Sequence, residues 1–316
     1  MTFKKEGGMK KFLFLPLFLV AFLILVSGVS FGRDAGGGDG YAGMEACKGC
    51  HPDQHESFAK TYHAIKADPR TPAAKEGCES CHGPGQAHVS AGGGKGVGGI
   101  NPFSKSTPAW QKSTSCIGCH TKGKVALWKG SSHEGRGVSC PDCHTLHGGY
   151  GKNLAKYKQS DVCSQCHLVV KAQLLKSSHH PIREGKVLCS NCHNPHGTVT
   201  EKLISANSVN EKCYECHTEK RGPFLWEHAP ATEDCLSCHM PHGSSHDKLL
   251  SAKRPYLCQR CHSNSRHPGT LYGRIVGEEG KSVYQVEGNR LFDSSCQNCH
   301  SQMHGSNHPS GKALLR

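Results

Sequence analysis

The sequence predicts a chain that is mostly coil with short helices and little sheet, with too few apolar residues to build a core of its own. Three observations lead there. All twenty cysteines fall in one five-residue pattern, Cys-x-x-Cys-His, which occurs ten times. Only 35% of the residues are hydrophobic, a figure that already includes those cysteines, and the chain carries 38 glycines. Such a composition cannot bury enough apolar surface to offset the entropy of ordering the chain, and without cofactors it lies close to that of a disordered protein. The third observation is an internal repeat, described below.

The ten copies of the pattern pair Cys47 and Cys50 with His51, Cys78 and Cys81 with His82, Cys116 and Cys119 with His120, Cys140 and Cys143 with His144, and Cys163 and Cys166 with His167. They continue with Cys189, Cys192 and His193; Cys213, Cys216 and His217; Cys235, Cys238 and His239; Cys258, Cys261 and His262; and Cys296, Cys299 and His300. This spacing is the attachment site for c-type haem. The two thiols add across the two vinyl groups of one macrocycle, and the adjacent His binds the iron from one face. Zinc knuckles and redox disulfides also use Cys-x-x-Cys, but neither needs a His directly after the second Cys. With 24 His in 316 residues, ten such His beside ten pairs do not arise by chance. Ten haems would leave roughly 30 residues for each macrocycle, so the fold class expected is a multihaem cytochrome c with an extended haem array as its core.

The N-terminus reads as an export signal over residues 1–32. Lys4, Lys5, Lys10 and Lys11 precede an apolar run from Phe12 to Val26, and small residues follow, with cleavage expected after Ser30 or Gly32. The run is short for a membrane span, which needs about 20 residues. No Cys lies near the site and no Arg pair precedes it, so a lipoprotein signal and a Tat signal are both excluded. The net charge of +13 suggests nucleic acid at first sight. Each haem, however, brings two propionates, and about twenty carboxylates would absorb the excess of Lys and Arg. No basic run with interleaved aromatic residues is present, so nucleic-acid binding is not expected.

The intervals between motifs hide the repeat. The unit is motif, spacer, lone His, motif, lone His, Gly. Five dihaem units span about 47–88, 116–147, 163–196, 213–242 and 258–304 within one domain, 33–316. The first and last are looser, as terminal repeats often are. Gly92 to Gly99 reads as a flexible loop. Tyr272 to Arg290 is an insert whose Ser-Val-Tyr-Gln-Val run suits a short strand.

Each iron has a second axial position, and fourteen His lie outside the motifs. Repeat register selects ten of them: His63, His88, His133, His147, His179 or His180, His196, His228, His242, His267 and His304. Of the adjacent pair, His179 is preferred because His179-x-Pro181 resembles His228-x-Pro230. His55, His246 and His308 fall outside the register. Met44, Met240 and Met303 are too few to serve as a class of ligand. His147, His196 and His242 each follow a motif His by three residues. They cannot bind that His's own iron, because axial ligands approach from opposite faces, so each must reach a neighbouring haem. Two His ligands give a low potential, and leave no open position for a substrate. That argues against a multihaem reductase and for a non-enzymatic electron carrier.

The ten motifs, the segment from Cys78 through His82-Gly-Pro-Gly-Gln-Ala to His88, and the tail from Cys296 to His308-Pro-Ser-Gly resemble the decahaem cytochromes of the MtrA, PioA and DmsE type. The resemblance covers essentially the whole chain after the signal. It implies a periplasmic cytochrome, associated with the outer membrane, that sits inside a β-barrel porin. There it would pass electrons from periplasmic donor cytochromes to an extracellular multihaem cytochrome or other external acceptors. A free periplasmic carrier, or a filament, could be built from the same parts.

Overall fold

The computed structural model describes residues 40–149, 151, 154–262, 275–276, 282–284 and 295–315. The export signal expected over residues 1–32 lies outside them. Short helices alternate with coil and tight turns. In order they are α1 (Met44–Cys50), α2 (Pro52–Ala59), α3 (Glu79–His82), α4 (Gln86–Ser90), α5 (Ala109–Ile117), α6 (Cys140–Cys143) and α7 (Gln159–Ser164). They continue as α8 (Leu168–Leu174), α9 (Cys189–Cys192), α10 (Val209–Tyr214), α11 (Ala229–Glu233) and α12 (Tyr256–Gln259). The longest, α5, has 9 residues, too few to persist in water without tertiary support. Among the described residues no helix is long and apolar enough to cross a membrane.

The helices sit where they do because each Cys-x-x-Cys-His closes one turn. In all ten motifs the backbone N–H of the His donates to the carbonyl of the first Cys, at 2.8–3.1 Å. Positions i, i+3 and i+4 share one helix face, so both thiols and the imidazole address the same volume. Conventional capping helps. The N–H and hydroxyl of Ser139 both donate to Asp142 Oδ2 (2.6 and 2.7 Å), and Ser208 Oγ accepts from the N–H of Glu211 at 3.1 Å to start α10.

Sheet is nearly absent among the described residues. Ile275–Val276 (β1) pairs antiparallel with Ser282–Tyr284 (β2), in the insert where the sequence suggests a short strand. Elsewhere single bridges recur in register. His144 bridges Ala155, His193 bridges Ile204 and His239 bridges Leu250, each in the segment that follows its own unit, while Ser178 bridges Ser244 and Trp226 bridges Ser306 over longer range. The buried apolar side chains of the described residues are Phe58, Trp128, Leu174 and Leu314. Four such residues cannot hold a domain of this size, as the composition implies.

Glycine does specific work where units meet. A Cβ on Gly197, whose φ is 123°, would lie 2.1 Å from the carbonyl oxygen of Leu127. One on Gly243 would lie 1.9 Å from that of Gln173. Each follows a lone His of the repeat, so the glycine lets that segment lie against the backbone of the preceding unit.

Candidate haem centres

The lone His residues meet the motif His residues in pairs. Ring centroids are 6.4 Å apart for His51–His88, 6.0 Å for His63–His120, 6.3 Å for His82–His147, 6.1 Å for His133–His167 and 6.1 Å for His144–His196. The series continues at 6.4 Å for His180–His217, 6.0 Å for His193–His242, 6.2 Å for His228–His262 and 6.1 Å for His239–His304. Imidazoles in van der Waals contact would not keep one constant gap through nine pairs. The midpoint lies about 3 Å from each centroid, which leaves room on either side for a nitrogen–metal bond of about 2 Å. The spacing therefore fits a six-coordinate iron between two imidazoles.

The pairing has a rule. The first lone His of a unit faces the first motif of the next unit, as with His63, His133, His180 and His228. The last lone His faces the second motif of the preceding unit, as with His147, His196, His242 and His304. His88 has no preceding unit and turns back to the first motif of its own. None of the last lone His residues faces its adjacent motif. His267 and its surroundings lie outside the described residues.

The preference for His179 is corrected. It is His180 that faces His217, while His179 donates through Nδ1 to the carbonyl of Lys176 (2.7 Å) and pairs through Nε2 with Glu184 (3.2 Å). The bridge register explains it. Ser178 and Trp226 occupy equivalent bridging positions, and side chains alternate along an extended strand, so the residue two further on points the same way. That residue is His228 in one unit and His180 in the other. The proline offset that favours His179 is not the structural register.

Backbone carbonyls orient the rings. Nδ1 of His133, His180 and His228 lies 2.7, 2.7 and 3.0 Å from the carbonyl oxygens of Pro195, Pro241 and Met303. A carbonyl only accepts, so Nδ1 carries the proton and the Nε2 lone pair is left for a metal. Those acceptors immediately precede His196, His242 and His304, so the lone His residues of adjacent units are joined through the backbone. His88 donates likewise to Val97 (3.1 Å), and His147 has the carbonyl of Gln54 at 3.2 Å. Burial pushes His63, His147, His196, His242 and His304 below the ordinary imidazole range, with the neighbouring imidazoles adding to it, which favours the neutral, metal-binding form.

Motif His residues are held by a device that the sequence reading missed. His193 Nδ1 donates to the carbonyl of Lys202 at 2.8 Å, and His239 Nδ1 to that of Lys248 at 2.9 Å. Lys202-Leu203 and Lys248-Leu249 all adopt left-handed backbone, with φ between 54° and 58°. Consecutive left-handed non-glycine residues cost about 1–2 kcal/mol each, so the turn is held by its surroundings. Leu154 and Leu314 share this conformation (φ 52°), and His300 Nδ1 donates to the carbonyl of Ala313 beside the latter. A Leu ten residues after His144, His193 and His239 was the available signal.

The thiols form a connected series. Within each unit the first Cys of one motif lies beside the first Cys of the other: Cys47 with Cys78, Cys116 with Cys140, Cys163 with Cys189, Cys213 with Cys235 and Cys258 with Cys296. Between units the second cysteines approach: Cys81 with Cys119, Cys143 with Cys166, Cys192 with Cys216 and Cys238 with Cys261. Polar side chains clasp the two motifs of a unit together. Cys140 N–H donates to Ser113 Oγ at 3.4 Å, Ser190 N–H to Gln159 Oε1 at 2.9 Å, and Cys235 N–H to Asn210 Oδ1 at 2.9 Å.

All of this surrounds one continuous cavity of about 5010 Å³, lined by residues of every motif from Cys81 to His300. Ordinary ligand sites are about 300–1,000 Å³, so this space suits several large cofactors side by side. The doubled CXXCH motif family matches residues 133–172, 179–222 and 228–267, and the cytochrome c554 and c-prime family matches residues 100–145. The chain is 42% identical over 277 residues to the multiheme cytochrome MtrA of Shewanella baltica (strain OS185), covering 87% of this chain and 81% of that protein. The chain belongs to the MtrA family of multihaem cytochromes. As an MtrA-type cytochrome it binds c-type haems covalently through its Cys-x-x-Cys-His motifs and transfers electrons through them.

Proposed function

We propose that the chain carries ten bis-His haems in sequence order and conducts electrons along them through the outer membrane, inside a β-barrel porin, to extracellular acceptors. The observation that carries this reading is the alternation of thiol contacts. First cysteines lie beside each other within a unit and second cysteines lie within electrostatic reach between units, so each attachment site neighbours those adjacent to it in sequence. Attachment sites in such a series put every macrocycle next to its two sequence neighbours.

Bound haem supplies one-electron chemistry between ferric and ferrous iron. The chain's own residues fix everything else. Motif His and lone His residues, in the pairs given above, would hold each haem iron between them. Carbonyls at Nδ1 orient and polarise them. His267 serves the iron of His300. The first unit, lacking a predecessor, closes on itself through His88, and the last unit, lacking a successor, closes through His267 by the same rule. With a pair of imidazoles for each iron, the chain would leave none open to a substrate, which supports a carrier rather than an enzyme.

The membrane part of the proposal rests on the MtrA relationship together with physical constraint. Backbone left unpaired in coil cannot face lipid. A barrel with a polar lumen can sheath such a chain across a hydrocarbon layer of about 30 Å. The partners are then that porin, periplasmic donor cytochromes on one side and an extracellular multihaem cytochrome on the other. The test is isolation from native outer membranes in mild detergent. Stable co-migration of the haem protein with a β-barrel is expected, and reconstitution into liposomes should then carry electrons to an enclosed acceptor. Recovery of all the haem as a small soluble species would overturn the conduit and leave a periplasmic carrier.

A further inference from the structure

We propose that Glu79 lowers the reduction potentials of the haems at Cys47 and Cys78, by placing a buried negative charge at the junction of their attachment sites. Glu79 lies between Cys78 and Cys81 and is 4% exposed. Among the described residues it is the charged side chain that falls in the buried class; the other buried polar residues are Ser and Asn. Its Oε1 accepts from the N–H groups of Ala42 (2.8 Å) and Gly85 (2.7 Å), and its Oε2 from that of Gly43 (2.9 Å). Both oxygens accept from backbone N–H donors, the arrangement that suits an acceptor-only carboxylate. Among the described residues no Lys or Arg forms a salt bridge with it. It lies within electrostatic reach of the Sγ atoms of Cys47 and Cys78, the attachment points of the two haems.

The contrast with the other units separates this role from packing. In the next three units the contact that clasps the two motifs is made by Ser113, Gln159 and Asn210, which are neutral. In the first unit the side chain that ties the start of α1 to α3 carries a charge. Oxidation of a haem iron adds a positive charge, and a fixed negative charge in a poorly solvated site favours the oxidised state. The first two haems therefore resist reduction more than their ligands alone require. An electron arriving at this end is passed inward to the array rather than held. The inference rests on haem attachment at Cys47 and Cys78.

The test compares Glu79→Gln, Glu79→Asp and Glu56→Gln with the parent chain, each purified with its full haem complement, by spectroelectrochemical titration. Glu56 lies on α2 and is exposed, so it reports on a charge change at the same end without burial. Haem stoichiometry and the low-spin spectrum are measured first, so loss of haem is distinguished from a shift in potential. In Glu79→Gln about two of ten haems should show at least a tenfold change in the oxidised-to-reduced ratio at fixed potential. That equals about 59 mV upward for a one-electron couple. Glu79→Asp and Glu56→Gln should titrate as the parent does. An unchanged curve in the fully loaded Gln variant, an equal shift in Glu79→Asp, or a shift spread evenly over all haems would overturn the proposal.

Discussion

Replacing His180 with Ala tests the ligand assignment most sharply, because its neighbour His179 supplies the control. The His180 and His217 rings lie 6.4 Å apart, so truncation at His180 leaves the iron of that site with one imidazole and an open face. One haem in ten should become high-spin, which magnetic circular dichroism or EPR of the ferric protein measures directly. The potential of that haem should rise, because a His ligand holds a haem at low potential. A hundredfold loss of preference for the ferric state corresponds to about 120 mV, at 59 mV per tenfold. That site stands seventh in the series, so conduction through the whole array must pass it. An electron resting there would leave about 100-fold more slowly, a slowing that reconstituted liposomes would report. His179→Ala should leave spectrum, potentials and conduction unchanged. It should remove only the contact with Glu184, which lifts His179 above the ordinary imidazole range and holds Glu184 below the ordinary carboxylate range. As an ion pair that contact is complete between the lowered carboxylate value and the raised imidazole value, and is lost as pH falls through the first or rises through the second. High-spin iron in His179→Ala together with a fully low-spin His180→Ala would refute the register argument.

Three further outcomes follow from the same geometry. The ring planes are crossed by 62°, 74° and 52° in the His63–His120, His133–His167 and His180–His217 pairs, but by 15–27° in the remaining six. Ferric EPR should therefore resolve a highly anisotropic low-spin class about half as abundant as the rhombic class; a single class would contradict it. Gly197→Ala forces a Cβ onto the Leu127 carbonyl, so thermal unfolding should show a loss of about 1–3 kcal/mol and some high-spin signal at the His196 site. His267→Ala should open one iron and no more, and an unaltered spectrum would show that His300 takes its partner from elsewhere.

The haem chemistry was legible in the residues because it is local. Cys, Cys and His at i, i+3 and i+4 need a single helical turn, and each of the ten motifs closes that turn with its own hydrogen bond. The coil-rich fold was legible for a related reason, since a chain so poor in apolar residues can make few long helices and little sheet. The need for His147, His196 and His242 to reach away from their own motifs followed from axial geometry alone. What needed the tertiary structure was everything that depends on how units face one another. His180 rather than His179 is selected by a bridge to Ser244 in the next unit. The carbonyls of Lys202 and Lys248 reach His193 and His239 only through left-handed turns that no propensity foretells. A repeat determines which residues recur, whereas the contact between repeats determines which of them face each other.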